Sequence, residues 1–262
     1  MPITRFIIVL FIIFGVATHA QTCFALDPAT TGVVLLHGKG GEPASLRPLG
    51  DALETAGFRV ETPELPWSGK RKYDQPFEKV EVEIAESIAR LKAKGVSQIV
   101  LAGHSLGGDA ALHAATLNTQ LAAVVLLAPA HFPEGDTALK LASESVTRAK
   151  IIIQGSNANP VAEFVEVPSG KPLQLPAPIY LSYYDPTGPS AMSLFAPQVK
   201  ISTIIWFAGN KDPATDKFNT LVVPRLPPTA YLNRVDIDSD HGHVPEVAAD
   251  SVVGWLKVLA DN

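Results

Sequence analysis

Six apolar runs, separated by segments of helical periodicity, account for most of the chain. Most of the runs are near-continuous rather than alternating, which is typical of parallel strands covered on both faces. In chain order they read TGVVLLHG, FRVETPEL, SQIVLAGHS, LAAVVLLAPA, ISTIIWFAGN and YLNRVDIDSD. Because strands and helices alternate, the pattern predicts an α/β fold with a doubly wound, mainly parallel sheet.

Three segments carry a helical pattern between or after these runs. Apolar residues from Val80 to Leu91 recur at helical spacing with glutamates on the other faces, and Gly95 is placed to end that helix. A second helix is predicted from Leu106 to about Asn118. The C-terminal helix is expected to bury one apolar face, formed by Val247, Val252, Trp255, Leu256 and Leu259.

Residues 132–200, between the fourth and fifth strands, interrupt this alternation. They hold a helical pattern, a hairpin pattern around VPSGKP and the proline- and tyrosine-rich stretch QLPAPIYLSYYDPTGPSAM. The segment is too long for a simple crossover. We expect a lid or cap over the carboxyl ends of the strands, where sheets of this kind bind ligands. An insertion elsewhere on the surface is the alternative.

Residues 1–25 have the layout of a secretory signal peptide. Arg5 precedes an apolar run from Phe6 to Ala17, and small residues surround Ala20 and Ala25, after either of which we expect cleavage. An uncleaved membrane anchor is the alternative, but the run is shorter than the ~20 apolar residues needed to cross a bilayer. The remaining chain to residue 262 is predicted to be one domain, periplasmic or secreted, with no stable membrane insertion.

Composition narrows the class of protein. With 47% hydrophobic and 18% charged residues and a net charge of -5, the sequence indicates neither disorder nor a basic nucleic-acid binder. Cys23 is the one cysteine, so an intramolecular disulfide is excluded, and cleavage after Ala25 would remove it. The sequence carries no signal of oligomeric state.

The stretch GHSLG, residues 103–107, lies where an apolar run gives way to a helical pattern. This is the strand-turn-helix context that a G-x-S-x-G nucleophile motif requires, because the glycines leave room where strand and helix crowd a strained serine. Ser105 is therefore predicted to be a nucleophile, and a hydroxyl in a structural turn is the alternative. A serine hydroxyl is a poor nucleophile alone, so it requires a base and oxyanion donors elsewhere in the chain.

Through this motif and the stretch VVLLHGKGG, the chain resembles the α/β-hydrolase superfamily over essentially its whole mature length. The resemblance implies a catalytic serine, acid and histidine in that order along the chain. The chain also departs from the family pattern. Its His-Gly stretch follows the leader so closely that the usual first two strands are expected to be missing or reduced.

The resemblance places the acid in a turn after a late strand and the base in the next loop. Asp212, in GNKDP, is the best placed carboxylate, with Asp185 and Asp216 as rivals and a turn-capping role as the alternative. In SDHGHVPE the family pattern favours His241, between an aspartate and a glycine, over His243 as the base. Asp212 would then orient the imidazole and stabilise its charged form.

The family builds its oxyanion hole from two backbone N–H groups. By resemblance these are the N–H of Leu106, after the nucleophile, and that of Lys39 in LLHGKGGEP, with Gly40 as its neighbour. A phosphate-binding loop is the alternative, but the stretch does not match G-x-x-x-x-G-K-[ST].

Four side chains are expected near the substrate: His104 in the elbow, His131 after the fourth strand, Trp67 at the end of the second strand and Tyr183 in the insertion. A core position is the alternative for Trp67. His37, which ends the first strand, is expected to be structural. The basic run from Lys70 to Lys72 is expected to be a solvated loop, with binding of anionic substrates as the alternative.

No spacing of histidines and carboxylates resembles a zinc site, so neither a metal nor another cofactor is predicted. The resemblance implies a serine hydrolase that cleaves a small-molecule carboxylic ester through an acyl-enzyme on Ser105, and the predicted signal peptide implies that it is secreted. Acyl transfer, perhydrolysis and amide cleavage use the same residues and stay open. A non-catalytic binding protein of the same fold is a further alternative, although all three triad positions are filled in order.

Overall fold

The computed structural model of the protein describes residues 26–155 and 160–261. The predicted signal peptide, its two cleavage positions and Cys23 lie outside the described residues. Among the described residues, no helix is both long enough and apolar enough to cross a bilayer.

A parallel sheet forms the centre of the molecule, and its strands coincide with the apolar runs of the sequence. Its six strands are β1 Thr31–Leu36, β2 Arg59–Glu61, β3 Gln98–His104, β4 Leu121–Leu127, β7 Thr203–Gly209 and β8 Tyr231–Ile237. They lie in the order β2-β1-β3-β4-β7-β8, and every neighbouring pair is parallel. A separate antiparallel hairpin is formed by β5 Val161–Val165 and β6 Pro172–Pro176.

Helices connect these strands. They are α1 Arg47–Thr55, α2 Val80–Ala93, α3 Leu106–Leu117, α4 Asp136–Gly155, α5 Ala177–Tyr184, α6 Met192–Phe195, α7 Ala214–Leu221, α8 Val244–Val247 and α9 Ala249–Asp261. The helices predicted near 80–91 and 106–118 are present as α2 and α3, and α2 ends just before Gly95.

Both faces of the sheet are covered, and β1 shows how. Successive side chains of a strand point to opposite faces. Val34 and Leu36 belong to the core cluster that includes α2 and α3, whereas Val33 and Leu35 belong to the cluster that includes α1 and α9. All four residues are fully buried. The near-continuous apolar runs are thus explained, and the doubly wound α/β prediction is confirmed.

The C-terminal segment differs from the prediction at one residue. The segment forms two helices rather than one, because α8 ends at Val247 and α9 begins at Ala249. Val252 and Leu256 are fully buried, but Val247 is 50% exposed. The predicted place of Val247 on the apolar face is therefore wrong. At 3.6 residues per turn, Val247 would lie roughly 140° around the helix from Val252 even without the break at Ala248, so its spacing does not place it on the apolar face.

The insertion between β4 and β7 consists of α4, the β5–β6 hairpin, α5 and α6. Its α5 packs on the loop that follows β2, where the Tyr183 hydroxyl donates to the Gln75 carbonyl at 3.0 Å and the Phe77 N–H donates to Ser182 Oγ at 2.9 Å. These contacts put α5 beside a loop that leaves the carboxyl end of a strand. That the insertion acts as a lid remains a prediction.

Candidate active site

Ser105 lies at the turn between β3 and α3, with a φ of 55° and a ψ of -122°. A non-glycine residue with this backbone is strained, and such strain is held in place by the surrounding structure. The two motif glycines make the turn sterically feasible. A Cβ on Gly103 would lie 2.0 Å from the Gly107 carbonyl oxygen, and a Cβ on Gly107 would lie 2.1 Å from that of Leu36.

Hydrogen bonds join Ser105 to the predicted base and acid. His241 Nε2 lies 2.9 Å from Ser105 Oγ, and His241 Nδ1 lies 2.8 Å from Asp212 Oδ2. A carboxylate only accepts hydrogen bonds, so Nδ1 carries the proton and Nε2 is left to accept from the serine hydroxyl. The site thus aligns an acceptor nitrogen with the hydroxyl that it would have to deprotonate.

The sheet order explains why residues so distant in sequence meet. Ser105 follows β3, Asp212 follows β7 and His241 follows β8, and the carboxyl ends of parallel strands share one edge of the sheet. The side chain of Asp212 is only 1% exposed, and its Oδ1 accepts the Ala214 N–H at 2.8 Å. The His241 side chain retains 36% exposure, so solvent reaches the imidazole.

The rival residues occupy other surroundings. His243 is 69% exposed and pairs with Asp240 at 2.8 Å, and this hydrogen bond raises the pKa of His243 above its usual value. The carboxylate of Asp185 binds Lys150 at 2.8 Å, while Asp216 lies on the first turn of α7. The hydrogen bonds therefore connect His241 and Asp212, rather than these rivals, to Ser105.

The His-Gly loop, residues 37–41, lies against the elbow. A Cβ on Gly38 would be 3.1 Å from Ser105 Cβ, so a larger residue there would require the elbow to shift slightly. Within the loop the Gly40 N–H donates to the Trp67 carbonyl at 2.9 Å. The Lys39 N–H has no acceptor among residues 26–155 and 160–261. Leu106 begins α3, so no preceding turn supplies an acceptor for its N–H.

His104 is hydrogen-bonded to the backbone of the predicted base, His241. Its Nε2 donates to the carbonyl oxygen of His241 at 2.8 Å, and the two ring centres are 5.0 Å apart. Burial lowers the pKa of His104 to about 4, so the ring is a neutral donor near neutral pH. The sequence motif identified His104 as a neighbour of the nucleophile but gave no sign of this contact with the loop after β8.

Two predicted substrate contacts are corrected by the structure. Trp67 and Tyr183 are both 0% exposed, so neither presents a surface to a substrate. Their polar atoms are also committed, because Trp67 Nε1 donates to the His37 carbonyl at 3.0 Å and the Tyr183 hydroxyl donates to Gln75. Both aromatic rings pack against Phe77 at the interface between the insertion and the sheet.

The other predicted polar residues near the strand ends have structural partners. His131 Nε2 donates to the Tyr183 carbonyl at 2.6 Å, and burial lowers the pKa of His131 to about 4. His37 Nε2 accepts the Leu65 N–H at 3.2 Å. In the basic run, Arg71 forms ion pairs with Asp74 and Glu83. Among the described residues, no group of three or more His, Cys, Asp or Glu side chains is arranged to hold a metal ion.

One contact beside the site has no counterpart in the sequence analysis. Lys39 Nζ lies 3.3 Å from Glu166 Oε1 and donates to the Val167 carbonyl at 2.6 Å. Lys39 and Val167 are 128 residues apart in the sequence, so no local pattern indicates that they pair.

The fold and site agree with a sequence match. The chain belongs to the alpha/beta hydrolase family, whose profile matches residues 33–255. No curated protein is similar enough in sequence to serve as a relative.

Solved structures of similar fold are distant in sequence. A monoacylglycerol lipase from Paleococcus ferrophilus has a TM-score of 0.64 and 20% identity, over 90% of this chain and 97% of that one. A structure of the metagenome-derived lipolytic enzymes LipS and LipT has a TM-score of 0.63 and 18% identity, and the match covers 91% of this chain and 100% of that one. A pyrethroid hydrolase from Sphingobium faniae JZ-2 has a TM-score of 0.54 and 18% identity, and the match covers 88% of this chain and 99% of that one. At such identities the likeness establishes the fold alone.

Proposed function

We propose that this protein is a secreted serine hydrolase that cleaves carboxylic esters through an acyl-enzyme on Ser105. The observation that carries the proposal is the unbroken chain of hydrogen bonds from Asp212 through His241 to Ser105, at 2.8 and 2.9 Å. Two of the structural neighbours are described as a lipase and as lipolytic enzymes, which favours esters among the substrates of the family.

In the first half-reaction, Ser105 Oγ attacks the ester carbonyl while His241 Nε2 takes the hydroxyl proton. The backbone N–H groups of Leu106 and Lys39 stabilise the oxyanion of the tetrahedral intermediate. His241 then returns the proton to the leaving alcohol, and an acyl-enzyme remains. Asp212 accepts the Nδ1–H hydrogen bond throughout and stabilises the imidazolium.

In the second half-reaction, His241 activates a water molecule that attacks the acyl carbon and releases the carboxylic acid and free Ser105. The His241 side chain is 36% exposed, so solvent has access to the imidazole, as hydrolysis of the acyl-enzyme requires. Acyl transfer, perhydrolysis and amide cleavage are tested by adding an alcohol, peroxide or an amine to the reaction and identifying the acyl product.

The nucleophile is tested by intact-mass analysis after incubation with a fluorophosphonate. We expect a single adduct, mapped to Ser105 and absent from Ser105→Ala. A folded protein that acquires no adduct would contradict the proposal and favour a binding protein of the same fold. The same mass measurement on exported protein tests secretion, since cleavage after Ala20 leaves Gln21 first and cleavage after Ala25 leaves Leu26 first.

A further inference from the structure

The side chain of Lys39 joins the His-Gly loop to the insertion. Its ammonium group contacts Glu166 at 3.3 Å and the Val167 carbonyl at 2.6 Å, and the side chains of Lys39 and Glu166 are only 23% and 24% exposed. An ammonium group that contacts both a carboxylate and a carbonyl oxygen is held in a more definite geometry than one in an exposed surface ion pair. The contact is therefore suited to hold the loop in one place.

The partner of Lys39 is itself anchored. Glu166 and Val167 begin the turn of the hairpin, and the Glu166 N–H donates to the Lys171 carbonyl at 2.9 Å. Next to them the Val165 N–H donates to Ser145 Oγ on α4 at 3.0 Å, and the Tyr180 hydroxyl on α5 donates to the Val165 carbonyl at 2.9 Å. The hairpin turn is thus fixed to both α4 and α5 of the insertion.

The backbone of Lys39 lacks such anchors. Its neighbour Gly40 donates to the Trp67 carbonyl and Gly41 donates to the Gly38 carbonyl, at 2.9 and 3.1 Å. The Lys39 N–H itself has no acceptor within the part of the chain that the structure describes. The orientation of this N–H therefore depends on how the rest of the loop is held. The contacts of the Lys39 side chain with Glu166 and Val167 are one of the interactions that hold the loop.

We propose that Lys39 is a positioning residue, whose side chain, held by Glu166 and the Val167 carbonyl, fixes its own backbone N–H as an oxyanion donor. This inference rests on the proposed function, because it assigns the Lys39 N–H to the oxyanion. It adds that the insertion sets the geometry of the oxyanion hole through the hairpin turn.

A transition-state effect distinguishes this role from substrate binding. An oxyanion donor acts on charge that develops in the transition state, so displacing it lowers kcat and leaves KM nearly unchanged. Complete removal of one such donor typically costs 10²–10³-fold in kcat. Because loss of the side-chain contact displaces the donor without deleting it, we expect about 10–100-fold.

The experiment compares Lys39→Met, Lys39→Arg and Glu166→Gln with the unmodified protein, using p-nitrophenyl butyrate. Lys39→Met and Glu166→Gln are expected to lower kcat with KM within about twofold, and Lys39→Arg to recover most of the loss, since a guanidinium can contact both partners. The matched control is Lys171→Met, in the same turn. The Lys171 side chain has no partner among the described residues, and its variant should retain full activity.

A second readout uses a trifluoromethyl ketone, whose adduct with Ser105 carries an oxyanion. Lys39→Met should weaken its binding by about the same factor as it lowers kcat/KM, whereas binding of the matching methyl ketone should not change. A merely destabilised protein would not separate the two ketones. Thermal unfolding of each variant checks that the fold is retained.

The outcomes separate this inference from the proposed function. If the unmodified protein neither reacts with a fluorophosphonate nor hydrolyses esters, the proposed function fails first. If it does both, and Lys39→Met keeps its kcat or loses activity only through a raised KM, the positioning role is overturned. A loss in Lys39→Met that neither Lys39→Arg restores nor Glu166→Gln reproduces would also overturn it.

Discussion

The two halves of the candidate site are held together in different ways. The acid–base half consists of Asp212 and His241 on the loops after β7 and β8, and these neighbouring loops are joined directly, since the Lys211 N–H donates to the Ser239 carbonyl at 3.1 Å. The oxyanion half includes the His-Gly loop, and the Lys39 side chain of this loop contacts Glu166 and Val167 in the insertion. The geometry of the acid–base half follows from the sheet, whereas that of the oxyanion half also depends on the insertion, which the sheet does not require.

The two halves differ in how far their geometry depends on packing outside the sheet. Adjacent parallel strands bring the acid and base loops together in every molecule with this sheet order. The Lys39 tie depends on the docking of α4, α5 and the hairpin, which are held by their own contacts. We therefore expect substitutions in the insertion to alter oxyanion stabilisation while leaving the hydrogen bonds of the triad intact.

The largest effect should come from the nucleophile and the base. Ser105→Ala and His241→Gln are each expected to lower kcat by about 10⁴–10⁶-fold, because each removes a group on which proton transfer or bond formation depends. The matched control is His243→Gln, two residues from His241, which should stay within about twofold. Steady-state ester hydrolysis measures all three. A collapse of activity in His243→Gln alone would reverse the assignment of the base.

The next largest effect should come from the acid. Asp212→Asn is expected to lower kcat by about 10³–10⁴-fold, because an amide in place of the carboxylate no longer fixes the Nδ1–H tautomer or stabilises the imidazolium. Asp216→Asn, an exposed carboxylate on α7, is the control and should retain activity. Activity that survives in Asp212→Asn but not in Asp216→Asn or Asp185→Asn would identify a different acid.

A smaller effect should come from His104, which supports the base loop. His104→Ala removes the donor to the His241 carbonyl, and one such hydrogen bond is worth about 1 kcal/mol, so we expect about a 5–10-fold lower kcat/KM. His104→Gln keeps a donor and should recover part of the loss. Equal activity of both variants and the unmodified protein would show that this contact does not position the base.

The smallest effect concerns acid stability. The pKa values of His104 and His131 are lowered from 6.5 to about 4 in the folded protein, mainly by burial. Between these pH values the unfolded chain binds more protons, so the free energy of unfolding should fall as the pH drops from about 6.5 to 4 and stay nearly level above 7. Both side chains nevertheless keep some exposure to solvent, which screens part of the effect, so we expect about 1–2 kcal/mol for each.

Urea denaturation at pH 7 and pH 5 measures this loss. His104→Gln removes the buried imidazole beside the acid–base half, and His131→Gln removes the one that contacts the insertion. Each variant should show a smaller pH dependence of the free energy of unfolding. Some dependence should remain in both, because burial also lowers the pKa of His37 and His113. A pH dependence unchanged in both variants would contradict this account and assign the acid sensitivity to other groups.

Local signals in the sequence predicted the sheet and the turn that carries Ser105. The runs that became β1, β3, β4 and β7 are buried on both faces, so their composition reports directly on the parallel sheet. The glycines around Ser105 reflect steric contacts that a Cβ would make, so a short motif was sufficient to locate the elbow. The order of the chain then narrowed the acid and base to a few residues in two loops.

Spacing along the chain misplaced Val247, Trp67 and Tyr183. Val247 lies roughly 140° around a helix of 3.6 residues per turn from Val252, so the apolar residues of this segment do not share one face. The places of Trp67 and Tyr183 along the chain predict positions near the substrate, but packing between the insertion and the loop after β2 buries both rings. That packing leaves no pattern in the neighbouring residues.

Local sequence patterns predicted the alternation of strands and helices and the turn at Ser105, because each depends on residues close together in the chain, and the family resemblance supplied the order of the candidate triad. Long-range packing brings His241, rather than His243, against Ser105, gives His104 its hydrogen bond to the loop after β8 and joins Lys39 to Glu166. These contacts join residues more than 100 positions apart, and they are set by strand order and by how the insertion packs.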